Sequence, residues 1–298
     1  MNVAIDFPKT DPEGRVFLTW RPTTCQVRLV SPASGPTPTG PTIKTRLASV
    51  TTGNGGRLVF YPSATAPGVS SIDLDLPVTG AAVPVMLSGE FGFPSSVYGD
   101  VAIEARYIAA GSVAAAPVLR FPLMVRVRKN ANVLSISERD RFVSALATLN
   151  GQGAGIFRQY RDTHVGGAAD RQAHGEPGFL PWHRAYLLDL ERELQVVDAT
   201  VALPYWRFDQ AAPNVINSAF MGVPNSNGTV TFRSGHPLTS WVTDGQVGVF
   251  RGPGVTASNI PQPQNPNFRV LTDAQTMALS SGTGANCPSS EHLAQIAA

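Results

Sequence analysis

Three of the five histidines in this 298-residue chain lie within one short stretch. His174 follows His164 by ten positions, and His183 follows His174 by nine. A neutral imidazole keeps one ring nitrogen available for a metal ion, so converging imidazoles can form a metal site. All-imidazole sites suit zinc, copper, iron or nickel, and spacing does not choose among them. The stretch predicts His164, His174 and His183 as three ligands of one metal.

The elements around these histidines are predicted to bring them together. Residues 180–195 are mostly strong helix formers, with Pro181 suited to a first turn. His183 shares one face of this helix with leucines at positions 187, 190 and 194, so we expect it to point into the core. His174 precedes a turn rich in Gly and Pro, and His164 follows a predicted helix that contains Phe157 and Tyr160. For His183 alone, the alternative is a core histidine bonded to a carbonyl.

Two further motifs accompany the histidines. The stretch FLPWHR at residues 179–184, its amphipathic helix and LPYW at 203–206 resemble the tyrosinase family of type-3 copper proteins, which includes catechol oxidases and haemocyanins. The resemblance implies that His164, His174 and His183 bind the first copper, CuA, and that Phe179 packs beside it. It also implies a copper site inside a four-helix bundle, with two coppers per complete site.

The second copper of that family, CuB, needs three more histidines, two of them in an H-x3-H pair. Only His236 and His292 remain here, and both are more typical of a loop or tail histidine than of a ligand. The interpretation we favour is that CuB is supplied by another segment of a longer or cut enzyme, or by a second chain. A truncated polypeptide and a one-metal protein with a different task are the alternatives.

The resemblance implies copper-dependent oxidation of phenols by O2, by o-hydroxylation of monophenols, oxidation of o-diphenols to o-quinones, or both. The alternative is a non-catalytic copper-binding or O2-carrying protein, and zinc is the main rival metal. No catalytic residue beyond the metal ligands is predicted, and the sequence lacks a Walker loop, GxSxG and HExxH.

Composition and charge limit the kinds of partner and the cellular location that the sequence predicts. A net charge of +2 is too small to indicate nucleic acid, and no apolar run is long enough to span a membrane. The N-terminal residues show no secretory signal, so a cytoplasmic location is expected, with export alongside a partner left open. Cys25 and Cys287 are predicted as free thiols. A homo-oligomer is compatible with the sequence.

The domain prediction is a β-sandwich at residues 1–130 and a mainly helical, four-helix-bundle copper domain at 131–298, incomplete in this chain. The N-terminal part has eight alternating runs separated by turn signals: 16–20, 26–30, 42–47, 57–61, 72–76, 83–87, 101–108 and 118–127.

The sequence also suggests roles for the β domain, for a basic cluster at the domain boundary and for the helix that follows it. The β domain is interpreted as a structural module, or alternatively as a lid that would use an aromatic loop with Phe91, Phe93 and Tyr98. The basic cluster at residues 126–132 is interpreted as a solvated linker. A helix is predicted to follow, capped by Ser135 with Glu138 or by Ser137 with Asp140, and to pack beside the His183 helix.

Overall fold

The computed structural model describes residues 2–30, 40–109, 111–151, 155–166, 171, 174, 178–206, 213–225, 230–243 and 246–247. The chain divides into two compact units, Met1–Val127 and Arg128–Ala298. Two residues singled out in the sequence, Cys287 and His292, lie outside the described residues. Among the described helices, none has the length and apolar character needed to cross a membrane.

The described part of the first unit is built from strands. They are β1 Asn2–Asp6, β2 Phe17–Leu18, β3 Thr23–Val30, β4 Thr42–Thr51, β5 Leu58–Tyr61, β6 Ser71–Pro77, β7 Val83–Gly89, β8 Val101–Ala109, β9 Ser112–Val113 and β10 Leu119–Val125. All eight predicted runs contain a strand, so the prediction of an N-terminal all-β domain is confirmed. The sequence pattern missed β1 and β9.

These strands form two sheets around one hydrophobic core. One sheet has the order β1-β3-β7-β5, and the other has the order β2-β10-β8-β4-β6 with β9 beside β8. Alternation explains which side chains are buried: in β6, Leu74 and Leu76 face the core while Asp73 pairs with Arg46 at the surface. Both sheets contribute to the same buried cluster. The narrower description of the domain as a sandwich stays a prediction.

The second unit begins with a well-capped helix, α1, at Ile136–Asn150. The Ser135 side chain accepts from the Glu138 backbone N–H, and the Glu138 carboxylate accepts from the Ser135 N–H. The first of the two predicted capping boxes is therefore the correct one. Phe142, Leu146 and Leu149 bury the inner face of α1, which packs against the third helix as predicted.

Two more helices carry His164 and His183, whereas His174 lies at a bend between them. Helix α2 spans Ile156–Val165 and helix α3 spans Phe179–Val197. The bounds of α3 lie within two residues of the prediction. The expectation that His183 points into the core is wrong near the start of α3, because Leu187 on its face is 40% exposed whereas only Leu194, further along, is fully buried.

The predicted four-helix bundle and mainly helical copper domain are wrong. The described residues hold three α-helices, and more of these residues lie in β-strands than in α-helices. Downstream of α3 the described structure consists of a 3-10 helix at Pro237–Ser240 and two short hairpins: β11 Val223–Pro224 with β12 Val230–Thr231, and β13 Val242–Thr243 with β14 Gln246–Val247. The physical reason is composition, since this region is rich in Gly, Pro, Asn and Ser and has no helical periodicity. The bundle is implied only by the family resemblance, and this pattern does not predict it.

Candidate metal centre

His164 lies in the last turn of α2. The helix begins after Gly155, whose φ of 83° is a conformation that side chains with a Cβ rarely adopt. The Asn150 side chain at the end of α1 accepts from the Phe157 N–H, and the Phe157 ring packs on Trp241 at 4.9 Å. The start of α2 is thus fixed to its neighbours, and this fixes where His164 emerges.

His183 lies one turn into α3, and its ring orientation is set by its own helix. Its Nδ1 lies 2.8 Å from the carbonyl oxygen of Phe179. A carbonyl can only accept, so Nδ1 carries the proton and the lone pair is on Nε2. This contact is the carbonyl bond that the alternative interpretation expected, yet it engages only one of the two ring nitrogens.

The three predicted histidines converge through their Nε2 atoms. The distance from His164 Nε2 to His183 Nε2 is 3.1 Å, and from His174 Nε2 to His164 Nε2 it is 3.2 Å. The ligand atoms of all three lie within 4.8 Å of one another, and the three side chains are half-buried. The sequence spacing therefore predicted the constellation correctly; that it binds a metal stays a prediction.

The geometry is compatible with a metal ion shared by the three histidines. A proton can bridge only one pair of nitrogens, whereas a cation can bind to three imidazole nitrogens at once. An ion about 2.0 Å from each nitrogen, the usual distance for imidazole ligands, would see the two measured pairs at roughly 100°. This angle lies between square-planar and tetrahedral values, and the donor set is one that zinc and copper both accept.

Aromatic rings surround the triad. Phe179 lies 4.3 Å from the His183 ring, consistent with the place that the resemblance implied for it. Trp182 lies 5.1 Å from His183 and 5.7 Å from His164. Tyr186 stacks on Trp182 at 5.0 Å and lies 5.7 Å from His164. These rings restrict the motion of the imidazoles and give the site apolar walls.

A partly buried ion pair holds α3 further along, and sequence reasoning missed it. Glu191, on α3 between Leu190 and Arg192, is buried. Its carboxylate accepts two hydrogen bonds from Arg128, at 3.1 and 3.0 Å, and one from the Leu203 N–H at 2.9 Å. The prediction that the basic cluster is a solvated linker is therefore wrong for Arg128, and also for Lys129, which pairs with Glu138. The available signal was that Glu191 shares its helical face with Leu187, Leu188 and Leu194.

His236 has a structural role in the described residues. It is 2% exposed, stacks on Phe232 at 4.4 Å, and accepts at Nδ1 from the Leu238 N–H, so it caps the 3-10 helix. Burial is the largest influence on its pKa and lowers it. It does not belong to the histidine triad, consistent with the sequence interpretation of it as a non-ligand.

The aromatic loop of the β domain has its own contacts within that unit. The Arg57 guanidinium lies over the Phe93 ring at 3.7 Å, and the Tyr98 hydroxyl donates to the Pro122 carbonyl at 2.9 Å. Phe91 is exposed. These contacts account for Phe93 and Tyr98 without a role at a metal site.

Comparison with known proteins decides the family of the histidine segment. Residues 153–295 match the family described as the common central domain of tyrosinase. The chain is 48% identical over 86 residues to a tyrosinase of Streptomyces glaucescens, covering 27% of this chain and 31% of that protein. This segment belongs to the tyrosinase family.

Two further relatives also match part of this chain. A tyrosinase of Streptomyces antibioticus is 41% identical over 118 residues, covering 38% of this chain and 42% of that protein. A grixazone synthase of Streptomyces griseus is 40% identical over 92 residues, covering 28% and 29%. The chain thus spans less than half the length of these three relatives. The tyrosinase match includes all three residues of the triad, whereas α1 and the β domain lie outside it.

Proposed function

We propose that this chain is part of a copper-dependent phenol oxidase in which His164, His174 and His183 bind the first copper, CuA. The observation that carries the proposal is the convergence of three Nε2 atoms inside a segment of the tyrosinase family. The substrates would be O2 and a phenol, by o-hydroxylation of monophenols, oxidation of o-diphenols, or both. Relatives named tyrosinase favour an oxidase over an O2 carrier or a non-catalytic copper protein.

The protein's part in this chemistry is to hold and orient the ligands. Copper, when bound, supplies redox chemistry with O2 that no side chain provides. The carbonyl of Phe179 keeps the proton of His183 on Nδ1, so its Nε2 lone pair faces the shared point. Binding then needs no change of tautomer at His183.

The aromatic walls suit a phenolic ring. Phe179, which packs on His183, is itself exposed, so the triad can be approached from the side of this ring. An arriving phenol would bury apolar surface there and lose water from its ring faces. Phe179 and Trp182 would then limit the orientations in which the substrate hydroxyl reaches the metal.

A complete two-copper site would need ligands from polypeptide outside these 298 residues. By the family resemblance CuB takes three histidines, and only His236 and His292 are not in the triad. His236 already uses Nδ1 to cap the 3-10 helix. Leu180 and Leu187 lie on the side of α3 that carries His183 and are 58% and 40% exposed, which suits the packing of a CuB-bearing segment or second chain beside the triad.

Metal analysis and oxygen uptake test this proposal. The purified chain should bind about one copper, and His183→Ala should reduce that content; His236→Asn keeps a capping acceptor and serves as the histidine control. Oxygen uptake with catechol should be low for the chain alone and rise when a CuB-bearing segment is added. A correctly folded His183→Ala protein with undiminished copper would refute the ligand assignment, and full activity of the chain alone would refute the missing CuB.

A further inference from the structure

A metal site whose ligands come from two helices depends on how those helices are held together. His164 is on α2 and His183 is on α3, and their Nε2 atoms are 3.1 Å apart. A small change in the separation of the helices would alter this distance directly. Two tyrosines, one on each helix, lie beside the pair of histidines.

Tyr186 on α3 reaches across to the backbone of α2. Its hydroxyl donates to the Tyr160 carbonyl oxygen at 2.9 Å. This carbonyl lies four residues before His164, so it belongs to the helical turn from which His164 projects. The Tyr186 ring also lies 5.7 Å from the His164 ring and stacks on Trp182. One side chain thus contacts both the backbone turn and the ring of a predicted ligand.

Tyr160 on α2 makes the reciprocal contact. Its hydroxyl donates to Asp189 Oδ2 on α3 at 3.4 Å, and its ring meets the Tyr186 ring edge-to-face at 5.4 Å. Burial, followed by the nearby carboxylates of Asp189 and Glu193, raises the pKa of Tyr160 to about 12. The hydroxyl therefore remains a donor throughout the neutral range.

We propose that Tyr160 and Tyr186 are positioning residues that clasp α2 to α3 and set the separation of His164 and His183. The proposal rests on the proposed function in one respect, namely that the triad binds copper. Neither tyrosine is a ligand; both act through the placement of His164. Of the two, Tyr186 should matter more, because its hydrogen bond is shorter and its ring lies against the ligand.

The test compares hydroxyl deletions that keep the rings. Tyr186→Phe retains the ring contacts with Trp182 and His164 and removes only the hydrogen bond to α2. The matched control is Tyr98→Phe, which removes a 2.9 Å bond from a tyrosine hydroxyl to a backbone carbonyl in the β domain. The double variant Tyr160→Phe/Tyr186→Phe removes both bridges, and His183→Ala removes a ligand.

Copper affinity is measured for each protein by competition with a chelator. Cobalt(II) absorption reports the coordination geometry, and thermal unfolding of the metal-free protein reports stability. Loss of a residue that supports a metal ligand typically lowers the metal affinity 10- to 100-fold. We therefore expect the copper Kd to be about 10-fold higher for Tyr186→Phe, and higher still for the double variant. The cobalt spectrum should shift in both, whereas Tyr98→Phe should leave affinity and spectrum unchanged.

The outcomes distinguish failure of the tyrosine clasp from failure of the copper site. If wild type and Tyr186→Phe bind copper equally and give the same cobalt spectrum, the clasp is refuted and the metal site stands. The same holds if affinity falls as much in Tyr98→Phe as in Tyr186→Phe, because the effect is then one of stability. If wild type binds no more copper than His183→Ala does, the proposed function fails, and the clasp fails with it.

Discussion

Replacing Glu191 should destabilise the second unit. Two different replacements, alanine and glutamine, distinguish the contribution of its charge from that of its hydrogen bonds. Glu191→Ala removes the carboxylate that accepts two bonds from Arg128 and one from the Leu203 N–H. Glu191→Gln removes the charge but keeps an oxygen that can accept from Leu203. Because this one oxygen accepts from both the Leu203 N–H and Arg128 Nε, the difference between the two variants measures its loss together with that of the side-chain stem.

The magnitude follows from burial. The Glu191 side chain is 12% exposed but the Arg128 side chain is 38% exposed, so water screens the ion pair. We therefore expect Glu191→Gln to lower the free energy of unfolding by about 1 kcal/mol. Glu191→Ala also leaves the Leu203 N–H without its acceptor and should cost about 3 kcal/mol.

Urea unfolding followed by tryptophan fluorescence is the assay, because three of the four tryptophans (Trp182, Trp206 and Trp241) lie in the second unit. Arg128→Ala should also destabilise, and the double variant with Glu191→Ala should cost less than the sum of the two single changes, because the two residues form one pair. Additive losses, or an alanine variant as stable as the glutamine variant, would refute this account of how α3 is held.

Three other changes test separate parts of the fold. Ser135→Ala should cost about 1 kcal/mol by removing the cap that accepts from Glu138, measured by the same unfolding assay; no loss would contradict the capping box. Leu194→Ala should cost about 2–5 kcal/mol, since Leu194 is fully buried between α1 and α3, and a loss below 1 kcal/mol would contradict that packing. Because burial lowers the pKa of His236 in the fold, the unfolded chain takes up its proton first. The contribution of His236 to the free energy of unfolding should be constant above its ordinary pKa of 6.5. It should fall as the pH is lowered below 6.5, until the pH reaches the lower pKa that His236 has in the folded protein. His236→Asn should flatten this dependence, and an unchanged pH profile would refute the assignment to His236.

Local patterns in the sequence predicted most of the elements. Strands such as β6 could be identified because apolar and charged residues alternate along them, and α3 because strong helix formers follow a proline suited to its first turn. The histidine triad was found by residue type and spacing, helped by the resemblance of FLPWHR to a known family. Each of these signals is contained within about 20 residues of chain.

Features that depend on distant partners were missed. Nothing in the sequence near Glu191 indicates that Arg128, 63 positions earlier, neutralises it and allows its burial. The clasp likewise joins residues 26 positions apart and depends on how two helices face each other. The four-helix bundle failed for a different reason: it was carried over from the family resemblance into a region whose own composition favours turns.

X-ray absorption of the copper-loaded chain, combined with copper analysis, tests the central claim most directly. The account predicts about one copper per chain, with three imidazole nitrogens about 2.0 Å from the metal. The triple variant His164→Ala/His174→Ala/His183→Ala should bind none. A wild-type chain whose bound copper shows fewer than three imidazole ligands, or a triple variant that binds as much copper as wild type, would contradict it.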